Sequence, residues 1–87
     1  MSSVKVYGAD WCEDTQHTLE RLKRLGVEHD YVNVEEDAEA SAWVKEQNGG
    51  KERKPTLKVG GRVLSTPGDE ELESALRDEG LAGEGRV

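Results

Sequence analysis

Short strand patterns alternate with amphipathic helix patterns along this chain, and their order leaves few possible folds. Residues 4–7 alternate apolar and polar side chains and stop at Gly8, which indicates a strand followed by a turn. Leucines at helical spacing then follow within residues 15–25, and Gly26 comes just after the last of them. Residues 31–34 restore a strand pattern. Because a strand, a crossover helix and a strand form a right-handed parallel unit, we predict that these two strands are parallel.

The second half of the chain predicts another helix, a hairpin and a last helix. Asp37 is a suitable cap for a helix that ends near Gln47. Gly60-Gly61 is a two-residue connection between strand patterns at 56–59 and 62–65, and residues 67–69 open the last helix. The buried sides of these two helices are predicted at Ala38, Ala42, Val44, Leu72, Ala75 and Leu76.

These elements define the predicted fold class, which is α/β with the order βαβαββα. We expect a four-stranded mixed sheet with helices on both faces. A chain of 87 residues suits one small domain and leaves no room for a second core. Residues 1–87 are therefore expected to form a single domain, with an ordered core over about 3–81 and a flexible tail over 82–87.

The charge and hydropathy of the chain exclude several classes of partner. With 19 acidic against 12 basic side chains the net charge is -7, which repels phosphate backbones, so nucleic acid is not an expected partner. No stretch approaches the roughly 20 apolar residues of a membrane span, and the first residues contain no signal-peptide core. We therefore expect a cytoplasmic monomer with no membrane partner.

Cys12 is the single cysteine of the chain and lies where the first strand passes into the first helix. Unpaired N–H groups and the helix dipole stabilise a thiolate at such a position, whereas Glu13 and Asp14 oppose it by like-charge repulsion. The alternative, a small buried hydrophobe, fits poorly beside such polar neighbours. Trp11 either walls the thiol and offers an aromatic face to a ligand or packs on a neighbouring loop, and the sequence favours neither. A lone cysteine forms no internal disulfide, so any sulfur chemistry is intermolecular.

Several motifs, in the same order along the chain, resemble the landmarks of the glutaredoxin family. They are Tyr7-Gly8-Ala9-Asp10-Trp11-Cys12-Glu13-Asp14-Thr15, Asn48-Gly49-Gly50, Lys54-Pro55-Thr56 and Gly61-Arg62-Val63-Leu64-Ser65-Thr66-Pro67. The resemblance covers nearly the whole chain and points to the mycoredoxin and NrdH-like glutaredoxins in particular. It implies a thioredoxin-like fold.

The same resemblance implies roles for individual residues. Cys12 would be the nucleophile, and Pro55 would be a cis-proline that faces it. The backbone of Lys54 would pair with the cysteinyl backbone of a thiol cofactor, and the turn into the last helix, which includes Pro67, would bind the cofactor's carboxylate. Asp69 also suits the role of a cap for its own helix, and we favour that role for its side chain. The candidate cofactor-binding residues are Trp11, Lys54, Pro55, Gly68 and Asp69.

The chain departs from the family pattern at three places. Thr15 replaces the second cysteine of the C-x-x-C motif, so only a monothiol cycle is possible. Its hydroxyl either donates a hydrogen bond to the thiolate, which makes Thr15 a catalytic candidate beside Cys12, or caps the helix. Lys54 replaces a small apolar residue and either offsets the acidic pair or binds a carboxylate of the ligand. The acidic pair, Glu13 and Asp14, replaces neutral or aromatic residues.

The main functional hypothesis is a monothiol thiol–disulfide oxidoreductase. It would act through Cys12 on mixed disulfides between proteins and a low-molecular-weight thiol, mycothiol or glutathione, which serves as co-substrate. The alternative is a catalytically weak or inactive module that binds a partner protein or peptide in the same groove. A third hypothesis is a dimer linked through Cys12 or a bridging metal. We expect no metal, since the C-G-F-S loop of iron–sulfur carriers is absent and the two histidines stand apart from other ligands.

Overall fold

The structure contains the strands and helices that the sequence predicts, in the predicted order. The structure is a computed structural model that describes residues 3–81, and the predicted flexible tail over 82–87 lies outside the described residues. The elements are β1 (Val4–Gly8), α1 (Glu13–Arg24), β2 (Asp30–Asn33), α2 (Ala38–Gln47), β3 (Thr56–Val59), β4 (Arg62–Ser65) and α3 (Asp69–Asp78). The order βαβαββα is therefore confirmed.

The four strands form one mixed sheet in the order β2-β1-β3-β4. β1 and β2 are parallel, as the strand–helix–strand pattern predicted, and β3 is antiparallel to both β1 and β4. Tyr7 near the end of β1 pairs with Thr56 at the start of β3, and Thr56 pairs with Ser65 at the end of β4. The loops after β1, before β3 and after β4 therefore meet at one edge of the sheet.

The helices cover both faces of the sheet, and an apolar cluster lies on each face. The larger cluster joins the sheet to α1 and α3 and consists of Val4, Val6, Leu22, Val27, Leu57, Val59, Leu64, Leu72, Ala75 and Leu76. The smaller cluster lies under α2 and consists of Val34, Ala40 and Val44, with Tyr7, Val32 and Trp43 packed against it. No helix within residues 3–81 has the length and apolar character needed to cross a membrane.

The buried face of α2 differs from the prediction. Ala38 and Ala42 are exposed, whereas Ala40 is buried beside Val44, which was predicted correctly. Ala38 and Ala42 form one row at i,i+4 spacing and Ala40 and Val44 form another, and the small alanine side chains did not by themselves mark which row faces inward. The ring of Trp43, 4.6 Å from that of Tyr7, adds the bulk that the alanines lack on this face.

Several element boundaries also differ by one or two residues. β1 extends to Gly8, one residue beyond the predicted 4–7. α1 begins at Glu13, two residues before the leucine pattern over 15–25 and directly after Cys12, and the acidic side chains of its first turn are favourable at a helix N-terminus. It ends at Arg24, and Gly26 follows the Leu25 C-cap with a positive φ of 72°. β2 is displaced by one residue from the predicted 31–34.

Candidate active site

Cys12 lies at the N-terminus of α1, at the sheet edge where β1 ends. Its backbone is extended, with φ -82° and ψ 120°, and its carbonyl oxygen accepts the N–H of Gln16 at 3.0 Å. Cys12 is therefore the N-cap of α1, and its side chain makes no cap hydrogen bond. This is the position at which the N–H groups of a first helical turn stabilise a negatively charged sulfur.

The loop before β3 faces the thiol across the site. The peptide bond between Lys54 and Pro55 is cis, so this prediction from the family resemblance is confirmed. The half-buried Cys12 thiol donates a weak hydrogen bond to the carbonyl oxygen of Lys54, with 3.8 Å between sulfur and oxygen. The carbonyl of the buried Pro55 in turn accepts the N–H of Thr66 at 2.8 Å. The backbone on both sides of the cis bond is therefore held against its neighbours.

Gly8, Thr15 and Pro55 are buried residues beside Cys12, and we call them the floor of the site. The Thr15 side chain is fully buried, and its Oγ1 accepts the N–H of Ala9 at 3.4 Å. A Cβ atom on Gly8 would lie 2.3 Å from that Oγ1, so the strand approaches the helix too closely for any side chain at position 8. Tight packing therefore fixes the turn that carries Cys12.

Both predicted contacts of Thr15 need correction. Thr15 is the third residue of α1 and so does not cap it. Within residues 3–81 its hydroxyl makes no hydrogen bond to the Cys12 sulfur, because the side chain turns inward beneath Gly8 and bonds Ala9. The Thr15 side chain instead holds the loop that carries Cys12, through its hydrogen bond to Ala9.

Trp11, Lys54, Glu52 and Glu35 form the outer side of the site, which we call the entrance. Trp11 is 66% exposed, and its indole N–H donates to Glu35 at 2.7 Å. The Lys54 ammonium lies 5.2 Å from the centroid of the Trp11 ring, within the range of a cation–π interaction. The indole is therefore exposed, as a ligand-facing ring would be, and is also bonded to the loop before α2, so both roles of Trp11 stay predictions.

The Lys54 side chain also pairs with a carboxylate of its own loop. Its Nζ lies 3.0 Å from Oε1 of Glu52, and the hydroxyl of Ser41 donates to the other oxygen of that carboxylate. The hydrogen bonds from Ser41 and Lys54 hold the pKa of the Glu52 carboxyl below its ordinary value, so this carboxylate is charged at neutral pH. Of the two predicted roles of Lys54, the offsetting of Glu13 and Asp14 is not supported, since its ion pair within residues 3–81 is with Glu52. Binding of a ligand carboxylate stays a prediction.

Sequence reasoning missed Glu52, Ser41 and Glu35. The Ser41–Glu52 bond joins residues 11 apart, and the Trp11–Glu35 bond joins residues 24 apart. Both link separate elements through exposed or half-buried polar side chains that have no distinctive spacing. Nothing in the sequence pattern could have singled them out.

The N-terminus of α3 lies at the same edge of the sheet. Gly68 is its N-cap, and Asp69 is its first residue, so the predicted cap role of Asp69 is wrong. The Asp69 carboxylate instead accepts a hydrogen bond from His17 on α1, with 2.9 Å between the atoms. A cleft of about 130 Å³ separates the two helix starts and is lined by Asp14, His17, Thr18, Pro55, Thr66 and Pro67.

A second set of bonds holds the loop between β1 and α1 from the side of β2. The Tyr31 hydroxyl donates to the carboxylate of Asp10 at 2.7 Å, and the Gln16 side chain donates to the Asp10 carbonyl at 2.7 Å. Burial and the bond to Asp10 raise the pKa of the Tyr31 phenol above its ordinary value, so it stays a donor at neutral pH. Within the described part of the chain, no three His, Cys, Asp or Glu residues are grouped as a metal site.

This geometry, a thiol at a helix N-terminus opposite a cis-proline on a four-stranded mixed sheet, defines a thioredoxin-like protein. The glutaredoxin family model matches residues 4–64. Mycoredoxin 1 of Corynebacterium glutamicum is 40% identical over 58 residues, which are 67% of this chain and 71% of that protein. The chain therefore belongs to the glutaredoxin family.

Solved structures agree with this assignment. The crystal structure of glutaredoxin grx-1 from Archaeoglobus fulgidus superposes with a TM-score of 0.73 and 25% identity, covering 88% of each chain. The solution structure of a glutaredoxin from Brucella melitensis gives a TM-score of 0.65 at 25% identity, covering 92% of this chain and 83% of that one. The thioredoxin-like fold is confirmed, and thiol–disulfide oxidoreductase activity follows from the family.

Proposed function

We propose that the protein is a monothiol oxidoreductase that removes a low-molecular-weight thiol from protein mixed disulfides through Cys12. The observation that carries this proposal is the position of the Cys12 sulfur at the start of α1, 3.8 Å from the Lys54 carbonyl and beside the cis peptide to Pro55. The chain has one cysteine, and Thr15 occupies the place of a second thiol. Both facts favour a monothiol cycle over a dithiol one.

In the proposed cycle the Cys12 thiolate attacks the small-thiol sulfur of a mixed disulfide. A bond forms between the two sulfurs, the bond to the substrate protein breaks, and that protein leaves as a thiolate that takes up a proton. A second molecule of the small thiol then attacks the sulfur attached to Cys12. The products are the small disulfide and the regenerated Cys12 thiolate, so electrons and protons balance without a metal or a second protein thiol.

Several residues support binding of the small thiol. The backbone of Lys54 would pair with the cysteinyl backbone of the thiol, and Trp11 would wall its other side. The first-turn N–H groups of α3 would bind a carboxylate, because the Gly68 N-cap has no side chain to occupy them. Asp69 would contribute through its backbone, since its carboxylate is bonded to His17. We assign Thr15 a positioning role, through Ala9, in place of direct contact with the sulfur.

The proposal also covers the identity of the small thiol, the substrates, the oligomeric state and the location of the protein. We propose mycothiol or glutathione as the co-substrate and proteins with mixed disulfides as the substrates. We further propose that residues 1–87 act as one domain, as a monomer, in the cytoplasm. There, a pool of reduced thiol would be present to complete the cycle.

Intact-mass spectrometry tests this proposal. The reduced protein is exposed separately to oxidised glutathione and to mycothiol disulfide, with Cys12→Ser as the matched control. We expect one adduct per chain in the wild type, none in the variant, and removal of the adduct by an excess of the same free thiol. An adduct with one reagent alone would identify the co-substrate. Absence of any adduct would overturn the proposal in favour of a module that binds partners in the same groove.

A further inference from the structure

Both ends of Lys54 contact the segment that carries the reactive thiol. Its carbonyl oxygen lies 3.8 Å from the Cys12 sulfur, and its ammonium lies over the ring of Trp11, the residue before Cys12. A positive charge at this place would attract anionic reactants toward the sulfur, since charges within a Debye length of about 8 Å act on one another at physiological salt.

Glu52 pairs directly with that charge. Its Oε1 lies 3.0 Å from the Lys54 Nζ, and the two side chains are only 25% and 17% exposed. Such a pair is less screened by salt than one on the open surface. The Ser41 hydroxyl donates to the other carboxylate oxygen, so Glu52 is held from α2 as well as from Lys54.

Acidic side chains lie next to Cys12 in the chain and at the Trp11 indole, whereas the other cations of this region, Lys45, Lys51 and Arg53, lie on α2 and on the loop of Glu52. Glu13 and Asp14 are exposed in the first turn of α1, and Glu35 bonds the Trp11 indole. With Lys54 paired to Glu52, its charge does not offset these three carboxylates. Without Glu52, the Lys54 ammonium would lie over the Trp11 ring, next to Cys12 in the chain, with no carboxylate paired to it.

We propose that Glu52 is a specificity-determining residue, which by pairing with Lys54 makes Cys12 select disulfides that are neutral or basic beside the reacting sulfur. Disulfides with a carboxylate at that place are disfavoured by the remaining acidic side chains. The inference rests on the proposed role of Cys12 as nucleophile, and it adds the charge class of the substrate. Glu52 does not touch the sulfur and acts through Lys54.

Alkylation by two reagents that differ in charge isolates this effect. Iodoacetamide is neutral and iodoacetate is anionic, and with either one the sulfur forms a bond to carbon while iodide leaves. The rate constant of Cys12 with each reagent is divided by that of free N-acetylcysteine under the same conditions. The ratio of the two normalised rates then reports the charge preference at the site, independently of how reactive the thiol is.

Glu52→Gln keeps the shape of the side chain and the acceptor for Ser41 but removes the charge. We expect the iodoacetate to iodoacetamide ratio to rise about three- to tenfold over the wild type and the rise to shrink in 1 M salt. Adding Lys54→Met to Glu52→Gln should return the ratio to the wild-type value or below it. Ser41→Ala, which loosens Glu52 from its other side, should give a smaller rise in the same direction.

Glu28→Gln is the matched control, because Glu28 is exposed between α1 and β2, at the opposite edge of the sheet from Cys12. It removes the same amount of charge from the protein and should leave the ratio unchanged within about twofold. A ratio that stays constant in Glu52→Gln, or rises equally in Glu28→Gln, would overturn the proposal. Failure of the monothiol cycle would instead appear as a missing mixed-disulfide adduct with this charge effect intact.

Discussion

The floor and the entrance of the site adjoin the same cysteine but are held by different forces. Gly8, Thr15 and Pro55 in the floor are buried and fixed by close contact. Trp11 in the entrance is 66% exposed, and its contacts include the charged side chains of Glu35 and Lys54. Packing tolerates almost no change in volume, whereas the hydrogen bonds and charge contacts of an exposed side chain such as Trp11 contribute little to stability. The floor therefore fixes where the sulfur lies, and the entrance can vary with the substrate at little cost to the fold.

Gly8→Ala should give the largest loss of stability. The new Cβ would lie 2.3 Å from Oγ1 and 2.6 Å from Cγ2 of Thr15, a buried β-branched side chain with little freedom to move. We expect a loss of about 2 kcal/mol in the free energy of unfolding, measured by urea denaturation.

Gly61→Ala is the control for that substitution, since a Cβ on Gly61 meets nothing within 4 Å. It should change the free energy of unfolding by less than about 0.5 kcal/mol. Combining Gly8→Ala with Thr15→Ala should recover part of the loss, because it removes the atoms that clash. Equal effects of Gly8→Ala and Gly61→Ala would contradict a closely packed floor.

Glu52→Gln should have a smaller effect that depends on pH. Because the pKa of folded Glu52 lies below its ordinary value of 4.5, its contribution to stability is fully present above about that pH. This contribution is lost as the pH falls through the lower pKa that Glu52 has in the folded protein. The free energy of unfolding of the wild type should exceed that of the variant by less than about 1 kcal/mol at neutral pH, and this difference should decrease in acid. Urea denaturation of both proteins between pH 7 and pH 3 measures this, and a difference that grows in acid would be inconsistent with the observed pairing.

Trp11→Ala should change stability least. The indole is largely exposed and its hydrogen bond to Glu35 is on the surface, so we expect a change below about 0.5 kcal/mol. Trp43→Ala removes the same side chain from the cluster under α2, where it is half-buried and its ring lies 4.6 Å from that of Tyr7, and should cost about 1.5 kcal/mol. Thermal or urea unfolding compares the two. A loss at Trp11 as large as that at Trp43 would mean that the entrance supports the fold.

The sequence predicted the larger cluster well because its residues are large aliphatic side chains at regular spacing. Leu22, Leu72 and Leu76 mark the inward faces of α1 and α3 without ambiguity. The smaller cluster depends on the alanines of α2, whose size does not distinguish an inward from an outward row, and there Ala38 and Ala42 were predicted wrongly. The prediction of buried residues was therefore limited by the small volume of the alanine side chains, whereas the order of the elements was predicted correctly.

The residues of the candidate site also divide into those whose place could be predicted from the sequence and those whose contacts could not. The place of Cys12 could be predicted from the strand and helix patterns on either side of it, and the cis peptide at Pro55 from the resemblance to the glutaredoxin family. The partners of Thr15, Asp69 and Lys54 could not, because each is a tertiary contact between polar groups whose sequence neighbours offered other partners. In the sequence alone, an aspartate that caps its own helix cannot be distinguished from one that pairs with a residue of another helix, as Asp69 shows.

Reduction of a protein mixed disulfide by the wild type and by Cys12→Ser, followed in the presence of an excess of the matching small thiol, tests most directly whether Cys12 carries the exchange. We expect the wild type to turn over, with one small disulfide formed per cycle, and the variant to show no turnover above the uncatalysed rate. Turnover that survives in Cys12→Ser would contradict the central claim that this thiol alone carries the exchange.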